Sequence, residues 1–307
     1  MSGDPAVNVC VSGAAGMTDL VYFRSAAVPD GAVMRRDQVS VSPNDRGFMF
    51  ADGVYEVIRS YGGRLFRPQE HLSRLRLSLE ALRIVLPDLA ALGPVAATLV
   101  ARNGLSKGDA TVYLEVTRGV HPRAHGLPRE PGVPTVYMET APLDPRPEDE
   151  EQGVCCITVP DIRWSRCDIK SIALMPGMLA RQQATENGAA EAIFVHEGIL
   201  TEGTHTNVFG VKGGTVLTHP ATNRVLAGIT RAIVLELCRE LSIPAAERGI
   251  TASELSGLDE MFLAATTAEV TPVVQVNGRK VGEGLPGPAT RRLQSAFRAY
   301  VSKALDA

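Results

Sequence analysis

Lysine is rare in this chain, whose cationic side chains are mostly arginines; it occurs at Lys107, Lys170, Lys212, Lys280 and Lys303. Lys107, Lys212 and Lys280 lie beside glycine turns and Lys303 lies near the C-terminus, where a solvated charge is explanation enough. Lys170 differs. It follows Cys167-Asp168-Ile169, which reads as the end of a strand, and precedes the apolar run Ser171 to Met175, so its stem is expected to point inward. An amine withheld from water is favoured in its neutral form, the form that condenses with an aldehyde to a Schiff base. Taken alone, a surface lysine with a buried stem explains the same residues.

Three other constellations could work with such an amine. In LAGITRAIVLELCREL, Gly228 precedes a helix that begins at Ile229-Thr230. Its first-turn N–H groups, the Thr230 hydroxyl and the helix dipole would converge on a spot suited to a phosphate monoester. A threonine-capped helix without a ligand fits equally well. Thr266 and Thr267 in AATTAE and Arg74 in EHLSRL could complete an anion cup, Arg74 lying one helical turn from His71. Glu202 in LTEGTHTNVFG falls at an inward position and is followed at once by Gly203, so a charge is brought close to something that needs it. A carboxylate opposite a pyridine nitrogen keeps that nitrogen protonated and makes the ring an electron sink; an exposed turn glutamate is the alternative. In HPRAH, Arg123 and His125 project the same way from an extended loop and could grip a carboxylate, with His121 a less secure third member. A polar surface loop is the plain reading there.

The elements that must position these residues form short strands and helices. LVYFRS, AVMRRDQVSVS and GVYEVIRSYGGRLF read as strands, the last a hairpin turning at Gly62-Gly63. Pro68 opens an amphipathic helix with Leu72, Leu75, Leu79 and Leu82 on one face, and a second helix ends at Asn103-Gly104. Strands ATVYLEVTRG and TVYMETAPL follow. The acidic, proline-rich stretch 143–152 reads as an interdomain linker. It separates a smaller domain at 19–142 from a larger one at 153–307, and residues 1–18 read as a flexible extension. Beyond the linker come VCCITVP, a helix over ALMPGMLARQQATENG that Pro176-Gly177 could make irregular, strands from Ala189 to Pro220, a helix from about Thr230 to Leu241, a hairpin at Asn277-Gly278 and a C-terminal helix. Separated hairpins and helices argue α+β layers rather than a regular parallel array.

Composition narrows the classes. A length of 307 residues with 45% hydrophobic content supports a large core rather than disorder. A formal net charge of -3 gives no basic field for nucleic acid or an anionic membrane. Cysteines number 5, spaced neither for a disulfide framework nor for a metal site, and are expected as reduced thiols in a cytoplasmic protein. No segment has the apolar length of a membrane span or the order of a signal peptide.

Taken together and in order, DRGFMFADGVYEVIR, EHLSRL, EVTRGVHPRAH, DIRWSRCDIKS, LTEGTHTNVFG, LAGITR and TTAEVTPV resemble the fold type IV pyridoxal-phosphate enzymes, and among them the D-amino-acid transaminases. The resemblance runs from about Val21 to Arg292. It implies a smaller N-terminal α/β domain and a larger C-terminal pseudo-barrel domain, with pyridoxal 5'-phosphate at their junction. It also implies roles: Lys170 as Schiff-base lysine and proton carrier, Glu202 on the pyridine nitrogen, and Arg74, Ile229, Thr230 and Thr266 around the phosphate. Tyr55 would bind the substrate α-carboxylate with Arg123 and His125, the latter two from the neighbouring subunit of a homodimer. The implied reaction moves an amino group from a D-amino acid to a 2-oxo acid in two half-reactions. Branched-chain L-amino-acid transaminases, (R)-amine transaminases and aminodeoxychorismate lyases resemble the chain at the lysine and glutamate motifs, but the Arg123-x-His125 pair is not expected of the branched-chain and lyase groups. A cofactor-binding scaffold without activity is a rival of another class. Where D-amino-acid members usually carry serines after the Glu-Gly step, this chain has Thr204, His205 and Thr206, which leaves the substrate range open.

Overall fold

The computed structural model describes residues 18–144 and 146–306, so the expected N-terminal extension lies outside the described residues except at Thr18. The chain folds as two compact units, one of residues 18–144 and 169–174, the other of 146–168 and 175–306.

The first unit holds a six-stranded sheet. Its strands are β1 (Leu20–Ser25), β2 (Val28–Arg35), β3 (Gly53–Tyr61), β4 (Arg64–Leu65), β5 (Ala110–Thr117) and β6 (Thr135–Pro142), in the order β2-β1-β6-β5-β3-β4. The strand expected from Ala32 onward stops at Arg35, where a 3-10 turn at Arg36–Gln38 begins. Helices α1 (Arg46–Phe50), α2 (Pro68–Leu82) and α3 (Leu92–Arg102) complete the unit, with Pro68 in the first turn of α2, where its missing N–H costs nothing. Val54 and Ile58 of β3, alternate strand residues, pack in one core with Leu72, Leu75 and Leu79 of α2 and Leu99 of α3. Glu56 lies between Val54 and Ile58 on that inward row and is fully buried.

The segment 169–174, expected in the second domain, belongs to the first unit. Ser171 bridges Val54, the Tyr55 amide donates to the Lys170 carbonyl (3.0 Å), and the Ile172 amide donates to the Gly53 carbonyl (3.2 Å). The edge of β3 facing away from β5 thereby gains, at its start, a partner from far along the sequence.

In the second unit the expected linker carries a short helix, α4 (Pro147–Gln152), whose first turn holds Glu148, Asp149 and Glu150, charges that favour a helix N-terminus. After it come β7 (Val154–Pro160), α5 (Met175–Glu186), β8 (Glu191–His196), β9 (Ile199–Gly203), β10 (Asn207–Lys212), β11 (Thr215–Thr218), α6 (Ile229–Glu240), β12 (Ala245–Glu247), β13 (Ile250–Thr251), β14 (Glu260–Ala265), β15 (Glu269–Val276), β16 (Arg279–Lys280) and α7 (Pro288–Asp306). Pro176 falls in the first turn of α5, which tolerates it, so the helix runs on without the expected irregularity. Strands β10, β14, β15, β7, β8 and β9 pair in succession, and the Glu202–Asn207 pair joins β9 back to β10. The sheet therefore closes on itself as a barrel, which leaves those strands without a free edge. Helices α6 and α7 lie on β14 and β15. The α+β class and the pseudo-barrel are thus both present.

Candidate active site

In the first unit, Lys170 is not at the end of a strand: residues 167–169 form a turn. Ile169 is buried in the core and the Lys170 amide donates to the Ser78 hydroxyl of α2 (3.2 Å), so the lysine is placed by packing and by its own backbone. Its Nζ stands 4.3 Å from the centre of the Tyr55 ring, and Tyr55 in turn lies 5.7 Å from Tyr113. Two sequence-predicted residues are therefore in contact.

Arg74 is not a solvated helix-face arginine. Its Nε and Nη2 donate to the two carboxylate oxygens of Glu56 (2.7 and 2.8 Å), and His71 Nδ1 reaches the same carboxylate at 2.8 Å. Burial would raise Glu56, but Arg74 and His71 outweigh it and bring its carboxyl down to about 2. His71 is pushed below its ordinary value, chiefly by burial and further by the Arg74 and Lys170 charges. A neutral imidazole with its proton on Nδ1 beside an ionised Glu56 satisfies both directions. Glu56 was not singled out from the sequence; a charged residue between the inward Val54 and Ile58 was the signal.

Arg123 and His125 form another group in this unit, gathered on Phe50. The Arg123 guanidinium carbon lies 4.8 Å from the centre of that ring, and the His125 ring packs edge-on to it at 5.9 Å. Both side chains are exposed. His121 is pushed below its ordinary value, first by burial, and its Nε2 is buried without a partner, so it stands apart from the pair.

In the second unit, Glu202 is 6% exposed at the end of β9. Its Oε1 accepts from Arg163 Nη1 (2.5 Å), and its Oε2 accepts from the Leu226 amide (2.9 Å) and from Asn207 Nδ2 (3.5 Å). Arg163 is itself held by Asp161 and lies over the Phe194 ring. A carboxylate fixed by this many donors stays ionised and oriented. Arg163 sits in DIRWSRCDIKS but carried no signal of its own, since an arginine in a polar segment is ordinarily solvated.

Ile229 and Thr230 are the first residues of α6. The N-cap is Gly228 and Thr230 is the second helical residue, so Thr230 does not cap the helix, and a residue larger than glycine at 228 would put its Cβ 1.9 Å from Asn207 Oδ1. The start of α6 therefore presents backbone donors and the positive end of its dipole. Thr266 lies half-buried in the turn between β14 and β15. Thr204, His205 and Thr206 all reach one buried carboxylate, that of Glu191 at the start of β8: the hydroxyls donate at 2.6 and 3.1 Å, and His205 Nδ1 lies at 3.1 Å. Gly203 is obligatory, because a Cβ there would lie 2.1 Å from Thr206 Oγ1 and 2.8 Å from Glu191.

Residues 53–276 match the family model described as amino-transferase class IV. The chain is 42% identical over 274 residues to a D-alanine aminotransferase of Bacillus licheniformis, covering 88% of this chain and 94% of the relative. It is 40% identical over 274 residues to a D-alanine aminotransferase of Staphylococcus haemolyticus, covering 89% and 96%. Among solved structures it resembles the branched-chain amino acid aminotransferase of Escherichia coli, with a TM-score of 0.84 and 27% identity over 92% of this chain and 95% of that one. The T.th. branched-chain amino acid aminotransferase, solved with pyridoxamine 5'-phosphate, shares the fold at a TM-score of 0.83 and 24% identity, over 94% and 95%. None of the helices of the described residues is long and apolar enough to cross a membrane.

Proposed function

The chain belongs to the class IV aminotransferase family, and from that premise we propose that it is a pyridoxal-phosphate-dependent D-amino-acid transaminase, moving an amino group from a D-amino acid such as D-alanine or D-glutamate to a 2-oxo acid. The observation that carries the reading is the 42% identity to a D-alanine aminotransferase across 94% of that relative, with Lys170, Glu202 and the Arg123-x-His125 pair all present.

The residues fit the cofactor. Glu202 is a fixed, buried carboxylate suited to a pyridine nitrogen, the start of α6 at Ile229 and Thr230 suits a phosphate, and Lys170 has its amine placed on Tyr55. Arg74 and Thr266 would add to the phosphate group's partners. Bound pyridoxal 5'-phosphate supplies an aldehyde and an electron-accepting ring. With that group held, Lys170 would present its amine to the aldehyde, and its Nζ would take the Cα proton of the amino donor and return it during the transfer. Glu202 holds positive charge at the ring nitrogen while this happens. Arg123 and His125, with Tyr55, would bind the α-carboxylate and so decide which enantiomer turns its Cα–H toward Lys170. In this reading Arg123 and His125 serve the site of the neighbouring subunit in a homodimer, and the protein works in the cytoplasm.

The test follows the first half-reaction by loss of the bound cofactor's visible absorption across D- and L-amino acids. Response to D-alanine and not to L-leucine supports the reading. Response to L-leucine alone, release of p-aminobenzoate from aminodeoxychorismate, or full activity in Lys170→Ala overturns it.

A further inference from the structure

We propose that Arg46 is a positioning residue for substrate binding, holding the loop between Arg123 and His125 so that both side chains meet the substrate carboxylate together; this rests on the reading that the pair binds that group. Arg46 begins α1, is 4% exposed, and sends Nη1 to the Ala124 carbonyl at 2.7 Å. Ala124 is the residue between the pair. Fixing its peptide plane fixes the directions in which both neighbours leave the backbone. Without that bond, two exposed side chains on a loop would have to be ordered anew at each binding event, at a cost in affinity.

The guanidinium does more than tether one carbonyl. Its carbon lies 4.8 Å from the centre of the Phe50 ring, and Arg123 lies at 4.8 Å from the same ring, with His125 edge-on to it. The ring is a platform shared by the anchor and by both residues it positions. Arg46 is itself fixed: Nε donates to Asp52 Oδ2 (2.7 Å), and Asp52 accepts two further bonds from Arg118, at 2.7 and 2.9 Å. Burial alone would raise the Asp52 carboxyl, but the two guanidiniums hold it below the usual range, so it stays charged. The Arg46 amide donates to the Gly119 carbonyl (3.0 Å) and the His121 amide to the Asn44 carbonyl (3.1 Å), which ties the start of the loop to the first residue of that helix and to the segment leading into it. A planar fork that meets a carboxylate and a carbonyl at once calls for arginine; an ammonium cannot make both contacts in this geometry.

The holoenzyme and its Arg46→Lys, Phe50→Leu, Asp52→Asn, Arg123→Lys and Arg46→Lys/Arg123→Lys variants are compared for kcat and KM with D-alanine and for the inhibition constant of propionate, which presents a carboxylate and no amine. Arg46→Lys is expected to raise KM and the propionate constant about tenfold each while kcat stays within about threefold, the split that marks lost ground-state binding. In the Arg123→Lys background the same change should add little, because the pair it positions is already impaired. Unchanged constants in Arg46→Lys, a fall in kcat at constant KM, or losses that multiply in the double variant would overturn the proposal. Should Arg46→Lys fail to fold, Asp52→Asn decides: it weakens the hold on the Arg46 guanidinium, and unchanged constants there overturn the proposal, while Phe50→Leu, which leaves the Ala124 tether, reports on the platform alone. Arg123→Lys with wild-type constants would bring down the underlying carboxylate reading, and the positioning role with it.

Discussion

Lys170 and Tyr55 are joined twice: the lysine Nζ stands 4.3 Å from the centre of the tyrosine ring, and the tyrosine amide donates to the lysine carbonyl at 3.0 Å. The backbone bond and the ring face do not depend on the phenol oxygen. Tyr55→Phe should therefore keep Lys170 in place and leave the saturated first half-reaction within a few-fold of wild type, while the amino donor's KM rises about tenfold if the hydroxyl binds the carboxylate. Tyr55→Leu removes the ring contact as well, worth roughly 0.5–2 kcal/mol, and should slow the saturated step too. Stopped-flow traces over a range of D-alanine concentrations separate the two. Equal saturated rates for both variants would show that the ring does not position the amine.

Glu202 and Arg163 make the corresponding pair in the second unit. Removing one member leaves a buried charge without its partner, at a cost on the order of 3–5 kcal/mol in such pairs. Arg163→Met is accordingly expected to reproduce the defect of Glu202→Gln, lowering kcat about tenfold or more and altering the bound cofactor's absorption in the same direction. A spectrum that changes in Glu202→Gln and stays native in Arg163→Met would mean that Leu226 and Asn207 suffice to hold the carboxylate.

The contrast between Glu202 and Arg163 shows where sequence reading reached its limit. Glu202 was legible because strand alternation put a charge inward beside a glycine, and inward charge demands a partner. Arg163 lies in an irregular segment, where no periodicity says which way a side chain points. The helices and hairpins of both units followed local pattern, Pro68 and Gly62-Gly63 marking their places. The return of residues 169–174 to β3 did not, because Ser171 and Val54 are paired across more than a hundred positions and nothing local to either announces it. Likewise the alternation that made Glu202 visible was present at Glu56, whose partners His71 and Arg74 had been noticed only as one helical face.

The Glu56 cluster gives a pH dependence with a definite sign. A carboxyl lowered from 4.5 to about 2 on folding adds stability above its unfolded value and loses it as pH falls from about 4.5 towards 2. His71, also lowered, acts in the same sense but earlier: its unfolded imidazole takes a proton as pH drops below about 6.5, which favours unfolding. Urea unfolding at pH 7, 5 and 3.5 should show the holoprotein weakening at each step, Glu56 alone accounting for about 1–2 kcal/mol by pH 3.5. Glu56→Gln should be weaker at pH 7 and lose less between pH 4.5 and 3 than the wild type, Asp52 and Glu191 keeping part of the acid slope. A variant that keeps the wild-type acid slope would place the responsible carboxylate elsewhere.

Glu191 is the common acceptor for Thr204, His205 and Thr206, the residues that connect the strand carrying Glu202 to the strand carrying Asn207. Burial works against its charge, yet His205, Thr204 and Arg181 hold its carboxyl below the usual range, so it is an ionised anchor inside the barrel wall. The partners differ in exposure: Thr206 is buried and the His205 side chain is 46% exposed. Solvent weakens an exposed ion pair to about 1 kcal/mol or less, whereas a buried acceptor that loses its charge leaves its donors poorly matched at about 1–3 kcal/mol. Glu191→Gln is therefore expected to destabilise the protein more than Thr206→Val, and Thr206→Val more than His205→Asn. Hydrogen exchange at the Gly203 amide, which closes the turn on the Thr206 carbonyl at 2.8 Å, should quicken in the same order. If His205→Asn matched Glu191→Gln in both measurements, the exposed imidazole rather than the buried carboxylate would be what holds the turn, and Glu202 would depend on a contact open to solvent.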